Sequence, residues 1–527
     1  PRVTPYARKA DIHAQLRPGT DAALALGMLQ VIISEGLYDK AFVEEWTVGF
    51  ERLKTHVQDY PPERVAAITR VPARTIRELA RTYASARPAC ISLRNAMDQH
   101  TNAAAAIRAV DILMAVTGNL DVRGGNVISI PMLTGLKDVK LYDRLPQKVR
   151  EKKIGADRYL WSRLFNEYPS THTPSLWKAI LEEDPYPVKA MMVMGANPAL
   201  ASANTRYVRQ ALKKLDFLVA ADLFMTPTAE LADIVLPVCT FLEKTRYVTY
   251  STHADHWWQA PARIALSPQV VAPVKQARSD WQIVCDLARR MGYGAEFPWK
   301  KRGAAIDYEL APLGITCRDL EAHPDGITLP VPPFLYRKFD GITGVFLRKV
   351  LKVMRFGDYP HQYEKYAGRG FFTPSKKVEI FSQRLADEGC DPLPVYREPA
   401  ESPVSRPDLA GKFPLVLIAG TKLPMYTHSM MRNIGSLRKR FPENRLEIHP
   451  ETAAHRSIED QDKVWIESPR GAVGCRAQVT RDIMPGVVQL HHGFEDANCN
   501  VLTDNENCDP VTGSPGLKSL LCQVRRG

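Results

Sequence analysis

Apolar positions recur with a helical period early in the chain and later fall into short continuous runs. Ala22 to Ile33 is almost uninterruptedly apolar. It is shorter than the roughly 20 residues that cross a bilayer, so it predicts a core helix. Pro18-Gly19 turns the chain into it, Thr20 stands at its N-cap and Gly36 marks its exit. Helical spacing continues over Phe42 to Tyr60 and Val71 to Ser85. Ala89 to Leu93 predicts a short buried strand, and Ala103 to Leu113 a helix that stops at Thr117-Gly118-Asn119 before the tight loop Arg123-Gly124-Gly125-Asn126. Past a charged, irregular stretch the runs alternate: strand Val188 to Met194, helix Thr205 to Leu215, strand Phe217 to Ala221, strand Ile234 to Leu236. That alternation predicts a parallel sheet. Ser279 to Met291 reads as a helix with Gly292 at C′.

The pattern changes at Asp391. Pro392, Pro394, Pro399, Pro403, Pro407 and Pro414 resist both helix and sheet and predict a linker. Beyond them lie short apolar runs, Leu415 to Ile418, Lys463 to Ile466, Val473 to Val479 and Val487 to Leu490, separated by turns such as Ser468-Pro469-Arg470-Gly471. Closely spaced strands with few helices predict a small β-barrel. The expected fold class is α/β, with Rossmann-like parallel-sheet domains (the first incomplete) followed by a carboxy-terminal β-barrel. The expected boundaries are 1–130 and 131–390 for two α/β domains, 391–411 for the linker and 412–527 for the barrel domain.

Composition narrows the function. At 527 residues the chain can bury a large core without disulfides. Its net charge of +12 suits a polyanionic ligand, but no Arg/Lys block alternates with aromatics, so nucleic acid is not the expected partner. No run is long enough for a direct membrane span, and no signal peptide or twin-arginine segment is visible. Cytoplasm and periplasm both stay open. None of the nine cysteines forms Cys-x-x-Cys, which fits neither a zinc site nor an iron–sulfur cluster. There is no Ser/His/Asp elbow, no Gly-x-x-x-x-Gly-Lys loop and no His-Glu-x-x-His.

Two strand–loop units stand out: Met194-Gly195-Ala196-Asn197-Pro198, and Ala221-Asp222 followed by Thr226-Pro227-Thr228-Ala229-Glu230 and Leu231-Ala232-Asp233-Ile234-Val235-Leu236-Pro237. Each delivers small or polar residues at a strand end, where an α/β sheet offers a crevice. With Pro1-Arg2-Val3-Thr4-Pro5, Leu16-Arg17-Pro18-Gly19, Asp98-Gln99, Thr117-Gly118-Asn119-Leu120-Asp121, Ala419-Gly420-Thr421, Tyr426-Thr427-His428-Ser429-Met430, Gly493, Asn498, Asn500 and Gly516-Leu517-Lys518, they resemble the molybdopterin oxidoreductases of the dimethyl sulfoxide reductase superfamily. The likeness covers nearly the whole chain, with gaps around 131–185 and 296–360. Thr427 to Asn433, Glu467 to Gly471 and Thr512 to Gly516 are most similar to the acetylene-hydratase-like branch.

The resemblance implies two molybdopterin guanine dinucleotides around one molybdenum or tungsten ion, a small-molecule substrate and an iron–sulfur electron-transfer subunit. It also implies that a 4Fe–4S segment and the metal-ligating residue would lie before Pro1, so this stretch is expected to be inactive alone. Asp222 and Asp280 are the carboxylates suited to guanine's paired N–H donors; Asp280 reads equally as a first-turn acid. Asp233 reads as loop support. Gln99, Asn197, Asn500 and Ser429 match the mixed pterin edge, Gln99 reading also as a helix-entry residue and Asn197 also as a turn residue. Gly195, Gly420 and Gly493 would let backbone N–H groups approach a phosphate or the pterin. Lys244, Arg2 and Lys518 are candidate pyrophosphate cations, with Lys244 alternatively a surface ion pair. Thr421 and Thr228 are candidate hydroxyl donors. His428 and Met430 complete the candidate pocket, and of the adjacent His491 and His492 at most one faces it, His492 being the choice. Arg94, Lys376 and Gln461 stand where the family usually has glycine; the last two are expected at positive φ. A non-catalytic scaffold of the same descent, and an unrelated α/β nucleotide enzyme, are the other readings.

Overall fold

In the computed structural model the described residues are 1–128, 145–164, 171–250, 263–329, 364, 366–423, 425–426 and 429–527. The amino-terminal helices are α1 (Asp21–Ser34), α2 (Lys40–Trp46), α3 (Phe50–His56), α4 (Pro62–Thr69), α5 (Ala73–Ser85) and α6 (Ala103–Val116). The nearly all-apolar α1 is buried on most sides because α4, α5 and α6 pack around it. Each fully buried side chain such as Leu26, Leu29 and Ile32 contributes about 1.5–3 kcal/mol.

Three local expectations need correction. Phe42 to Tyr60 is not one helix. It breaks at Gly49 (φ +88°), where a Cβ would stand 2.4 Å from the Phe381 side chain. The two-residue strand Thr47–Val48, paired with Val378–Glu379, separates α2 from α3. Ala89 to Leu93 is extended but is neither a sheet strand nor buried at Cys90. Side-chain amides take the place of a neighbouring strand: Asn119 Oδ1 accepts from Ala89 N (2.9 Å), and Asn126 bonds both Ile91 N and Ile91 O (2.8 Å each). Thr20 holds the N-cap position of α1, yet its hydroxyl donates back to Arg17 O (2.7 Å) instead of capping the first turn.

The central unit is as the alternation predicts. β1 (Ala190–Met194), β2 (Phe217–Asp222) and β3 (Ile234–Pro237) form a parallel sheet in that order, and α7 (Thr205–Lys214) connects β1 to β2. Asp233 is a support residue. Its carboxylate accepts from Leu218 N (2.7 Å) and its own N–H donates to Leu218 O (2.9 Å), fixing the β2/β3 register. Ile234 is exposed on the edge strand. α8 (Asp280–Arg290) begins with a full capping box of Ser279 and Gln282.

The carboxy-terminal strands β4 (Leu415–Thr421), β5 (Arg445–Ile448), β6 (Lys463–Ser468), β7 (Gly471–Val479), β8 (Val487–His491) and β9 (Leu520–Arg526) close into a barrel in the order β5-β7-β6-β9-β4-β8. Closure removes free strand edges. Leu417, Ala419, Leu446, Ile448, Val464, Ile466, Val488 and Leu490 fill its interior. The Pro-rich stretch before it is not a loose tether. Glu401 and Ser402 are buried, and Glu401 pairs with Arg470 through two bonds (2.8 and 2.9 Å). Arg17 of the first domain pairs with Glu398 of the same stretch.

Lys376 (φ +60°) and Gln461 (φ +69°) do adopt the left-handed region. A non-glycine residue there carries strain of about 1–2 kcal/mol. Gln461→Gly is therefore expected to stabilise the exposed turn before β6 by up to about 1 kcal/mol after the entropic cost of glycine. An unchanged or lower unfolding midpoint for that variant would show that the Gln461–Asp460 side-chain bond outweighs the strain.

The cysteines are all unpaired, and Cys239, Cys285, Cys317, Cys499 and Cys522 are buried, as small hydrophobes would be. Among the described residues no helix is long and apolar enough to cross a membrane.

Candidate functional site

The carboxyl edge of the β1–β3 sheet faces the barrel. β1 is followed by Gly195, whose positive φ (+58°) turns the chain and whose N–H donates to Ala221 O (3.0 Å). Two residues on, Asn197 is buried, with its Oδ1 receiving Thr228 Oγ1 (2.8 Å) and Thr228 N (3.3 Å), and its Nδ2 directed at Ser429 Oγ (3.5 Å). β2 ends in Asp222. One of its carboxylate oxygens accepts Leu223 N (2.6 Å) and Phe224 N (3.2 Å), which orients the partly exposed group at the strand tip.

The barrel supplies the opposite wall. Its Asn498–Asn505 segment grips the chain that follows Asn197. Asn498 Nδ2 donates to Thr205 Oγ1 (3.0 Å), Asn500 Nδ2 to Leu200 O (2.9 Å), and Asn204 Nδ2 to Asn505 Oδ1 (3.0 Å). Asn500 Nδ2 also lies 3.3 Å from His492 Nδ1, and His492 N donates to Thr421 O (3.0 Å). Arg432 holds the positive-φ turn at Gly493 by donating to its carbonyl (2.6 Å) while lying over the Phe494 ring. The first domain closes the third side, where Gln99 O accepts Leu517 N (2.9 Å) and Lys518 N (3.2 Å).

Lys518 is the electrostatic centre of this arrangement. It is 8% exposed, and among the described residues its ammonium has no carboxylate partner, only Ala419 O at 2.6 Å. Burial pushes its pKa down to about 8. Gly420 (φ +80°) lies beside it; a Cβ there would point at Lys518 Nζ from 3.6 Å, so glycine keeps that face of the ammonium open. His100, next to Gln99 and buried, is held toward its neutral form by desolvation and by the Lys518 charge, with Asp21 opposing.

Hydrogen bonds thus join Asn197 to Ser429, Asn500 to His492 and to the chain that follows Asn197, His492 to Thr421, and Gln99 to Lys518 beside Gly420; Gly195 precedes Asn197, Gly493 follows His492, and Asp222 stands at the neighbouring strand tip. Other expected residues are placed differently. Thr228 is fully buried; its hydroxyl gives its proton to Asn197 and accepts Ala199 N (3.0 Å), which uses it up within the protein. Lys244 and Asp280 pair with each other in a half-buried position, so the cation is not free and the carboxylate is not a lone guanine acceptor. Arg2 lies on the outer wall of the barrel, bonded twice to buried Glu447 (2.6 and 2.7 Å), with His491 3.7 Å away. His491 and His492 do point to different partners. Met430 is exposed, Arg94 is exposed, and His428 lies outside the described residues. Sequence reasoning gave His100 and Arg432 no role of their own; the signals were the adjacency of His100 to Gln99 and the place of Arg432 in the Thr427 to Asn433 stretch.

Comparison with known proteins meets this geometry. The family model Molybdopterin oxidoreductase matches residues 1–290, and Molydopterin dinucleotide binding domain matches 415–521. Acetylene hydratase of Syntrophotalea acetylenica is 32% identical over 98% of this chain and 71% of its own length. F420-dependent formate dehydrogenase subunit alpha of Methanocaldococcus jannaschii is 32% identical over 100% of this chain and 71% of its own. The solved structure of acetylene hydratase from Pelobacter acetylenicus superposes with a TM-score of 0.82 at 31% identity, covering 100% of this chain and 73% of that one. The chain belongs to the molybdopterin oxidoreductases of the dimethyl sulfoxide reductase superfamily, on their acetylene-hydratase-like side.

Proposed function

We propose that this chain is the cofactor-binding body of a molybdenum or tungsten oxidoreductase that holds two molybdopterin guanine dinucleotides, acts on a small substrate and exchanges electrons with an iron–sulfur subunit. The observation that carries the reading is Lys518. A buried ammonium without a counter-ion is costly, and an anionic ligand in the crevice relieves that cost. The donor set fits such a ligand: Lys518 Nζ and Asn197 Nδ2 offer hydrogens to phosphate oxygens and pterin acceptors, and Asp222 offers a carboxylate to guanine N–H groups. The metal held by the pterins would supply oxygen-atom or electron transfer. The protein's share is to orient the dinucleotides and to screen them from water between sheet and barrel.

Anaerobically purified protein is expected to carry molybdenum or tungsten together with a pterin that fluoresces after oxidation; absence of both would leave a scaffold. Asp222→Ala is expected to loosen the guanine end. It removes a charge-assisted bidentate contact of about 1.5–3 kcal/mol, or at least a tenfold weaker hold on the dinucleotide. Guanine released on denaturation, quantified against protein, reports it, and undiminished guanine content would remove Asp222 from the site.

A further inference from the structure

The partners of Asn197 determine which end of its amide the ligand meets. A backbone N–H can only donate, so the Asn197 atom 3.3 Å from Thr228 N must be the oxygen. The same oxygen lies 2.8 Å from Thr228 Oγ1. That hydroxyl already accepts Ala199 N (3.0 Å), which leaves its proton free to go to Asn197. Both groups converge on Oδ1, and flipping the amide would set its NH2 against the donor-only Thr228 N–H inside a buried pocket. Nδ2 is therefore the atom turned away from Thr228, toward Ser429 Oγ at 3.5 Å. Thr228 itself is fully buried and touches no open space.

We propose that Thr228 is a positioning residue that locks the Asn197 amide with its NH2 outward, so that this point of the crevice reads a hydrogen-bond acceptor on the ligand and rejects a donor. The proposal rests on the crevice being a pterin dinucleotide site. The acceptor is either a pterin carbonyl or ring nitrogen, or a phosphate oxygen; all share the same chemistry at Nδ2. With Lys518 also donating and Asp222 accepting, the lock gives the crevice a polarity: donors at the sheet-to-barrel junction, an acceptor at the β2 tip. A ligand with its N–H edge at one end and its acceptors at the other fits in one direction only.

Asn197→Asp tests this without disturbing the lock. The carboxylate keeps an oxygen for both Thr228 donors but presents a second, acceptor-only oxygen to the ligand. The probe is molybdopterin guanine dinucleotide, with its dissociation followed by pterin fluorescence after gel filtration. Asn197→Asp is expected to melt near the parent temperature yet release the probe about tenfold faster or more at neutral pH. Release should slow again as pH falls toward the carboxyl's protonation, because a protonated carboxyl is once more a donor. A purely structural role would show no such recovery. Thr228→Val should speed release and Thr228→Ser should restore the parent rate. GDP as a second probe separates the sources. A defect with the dinucleotide alone assigns the acceptor to the pterin half, and a defect with both assigns it to the phosphates; either outcome supports the lock. If parent protein holds the dinucleotide and Asn197→Asp holds it equally at all pH values, the lock is wrong. If the parent holds neither probe, the dinucleotide reading of the crevice is what fails.

Discussion

Lys518→Met is expected to make the cofactor-free protein more stable and its hold on the dinucleotide much weaker. The ammonium is forced into a buried site where its pKa falls from 10.5 to about 8. That depression corresponds to about 3 kcal/mol of destabilisation at neutral pH. The charge-assisted bond to Ala419 O returns about 1.5–3 kcal/mol, less than burial costs, so the apolar methionine is favoured by a small margin. The sign can be read from pH. The unfolded chain keeps this proton up to about 10.5, whereas the folded chain loses it near 8. Between those values the unfolded state binds more protons, so apo stability should gain from this group as pH rises through that window. Lys518→Met should lack that gain. The ligand behaves oppositely: an anion requires the charged lysine, so its affinity in the parent should decline as pH rises past about 8. Loss of a buried charge-assisted contact should weaken binding by about 2–5 kcal/mol, thirtyfold or more. Melting curves of apo protein across pH, set beside pterin retention, test both halves. A variant that melts lower while retaining its pterin would make Lys518 a structural residue and would remove the main support for an anion in the crevice.

The second large effect is at the strap between the domains. Glu401→Ala should destabilise the protein by about 3–5 kcal/mol, because it leaves the Arg470 guanidinium in a mostly buried position without its carboxylate. It also removes the acceptor for Leu521 N (2.6 Å) at the start of β9. Replacing both partners with apolar residues, Glu401→Leu with Arg470→Met, should recover much of the loss, since desolvation of the pair nearly cancels its attraction. Urea unfolding followed through Trp465, which sits on β6, reports the barrel directly. A loss below about 1 kcal/mol for Glu401→Ala would mean that the strap is dispensable, as a surface ion pair would be.

The parallel sheet and the barrel strands were legible because their periodicity is local, and the tips bearing Asn197 and Asp222 were legible because they follow strand runs directly. Other elements defeated local reading for identifiable reasons. The amphipathic spacing over Phe42 to Tyr60 looks continuous, but the close approach of Phe381 to Gly49 breaks it, and nothing nearby in sequence announces Phe381. The prolines of 391–411 keep out strands but not the one-turn helix Pro407–Ala410, which starts on a proline, and they reveal nothing of Glu398 and Glu401, whose partners are Arg17 and Arg470. Arg2 read as a cation for a pyrophosphate until Glu447, on a barrel strand hundreds of residues away, neutralised it.

Sequence by itself determined the family, the order of sheet, strap and barrel, and the residue types that suit a guanine-capped pterin, because chemistry and spacing are written into neighbouring positions. Tertiary structure decided which of those groups remain available. Lys244, Asp280, Arg2 and Thr228 are consumed by partners distant in the chain, while among the described residues Lys518 has no carboxylate partner and the Asn197 amide nitrogen has only a long bond to Ser429. The physical reason is that a polar group's role depends on whether another group already satisfies it, and that is settled only when distant segments meet.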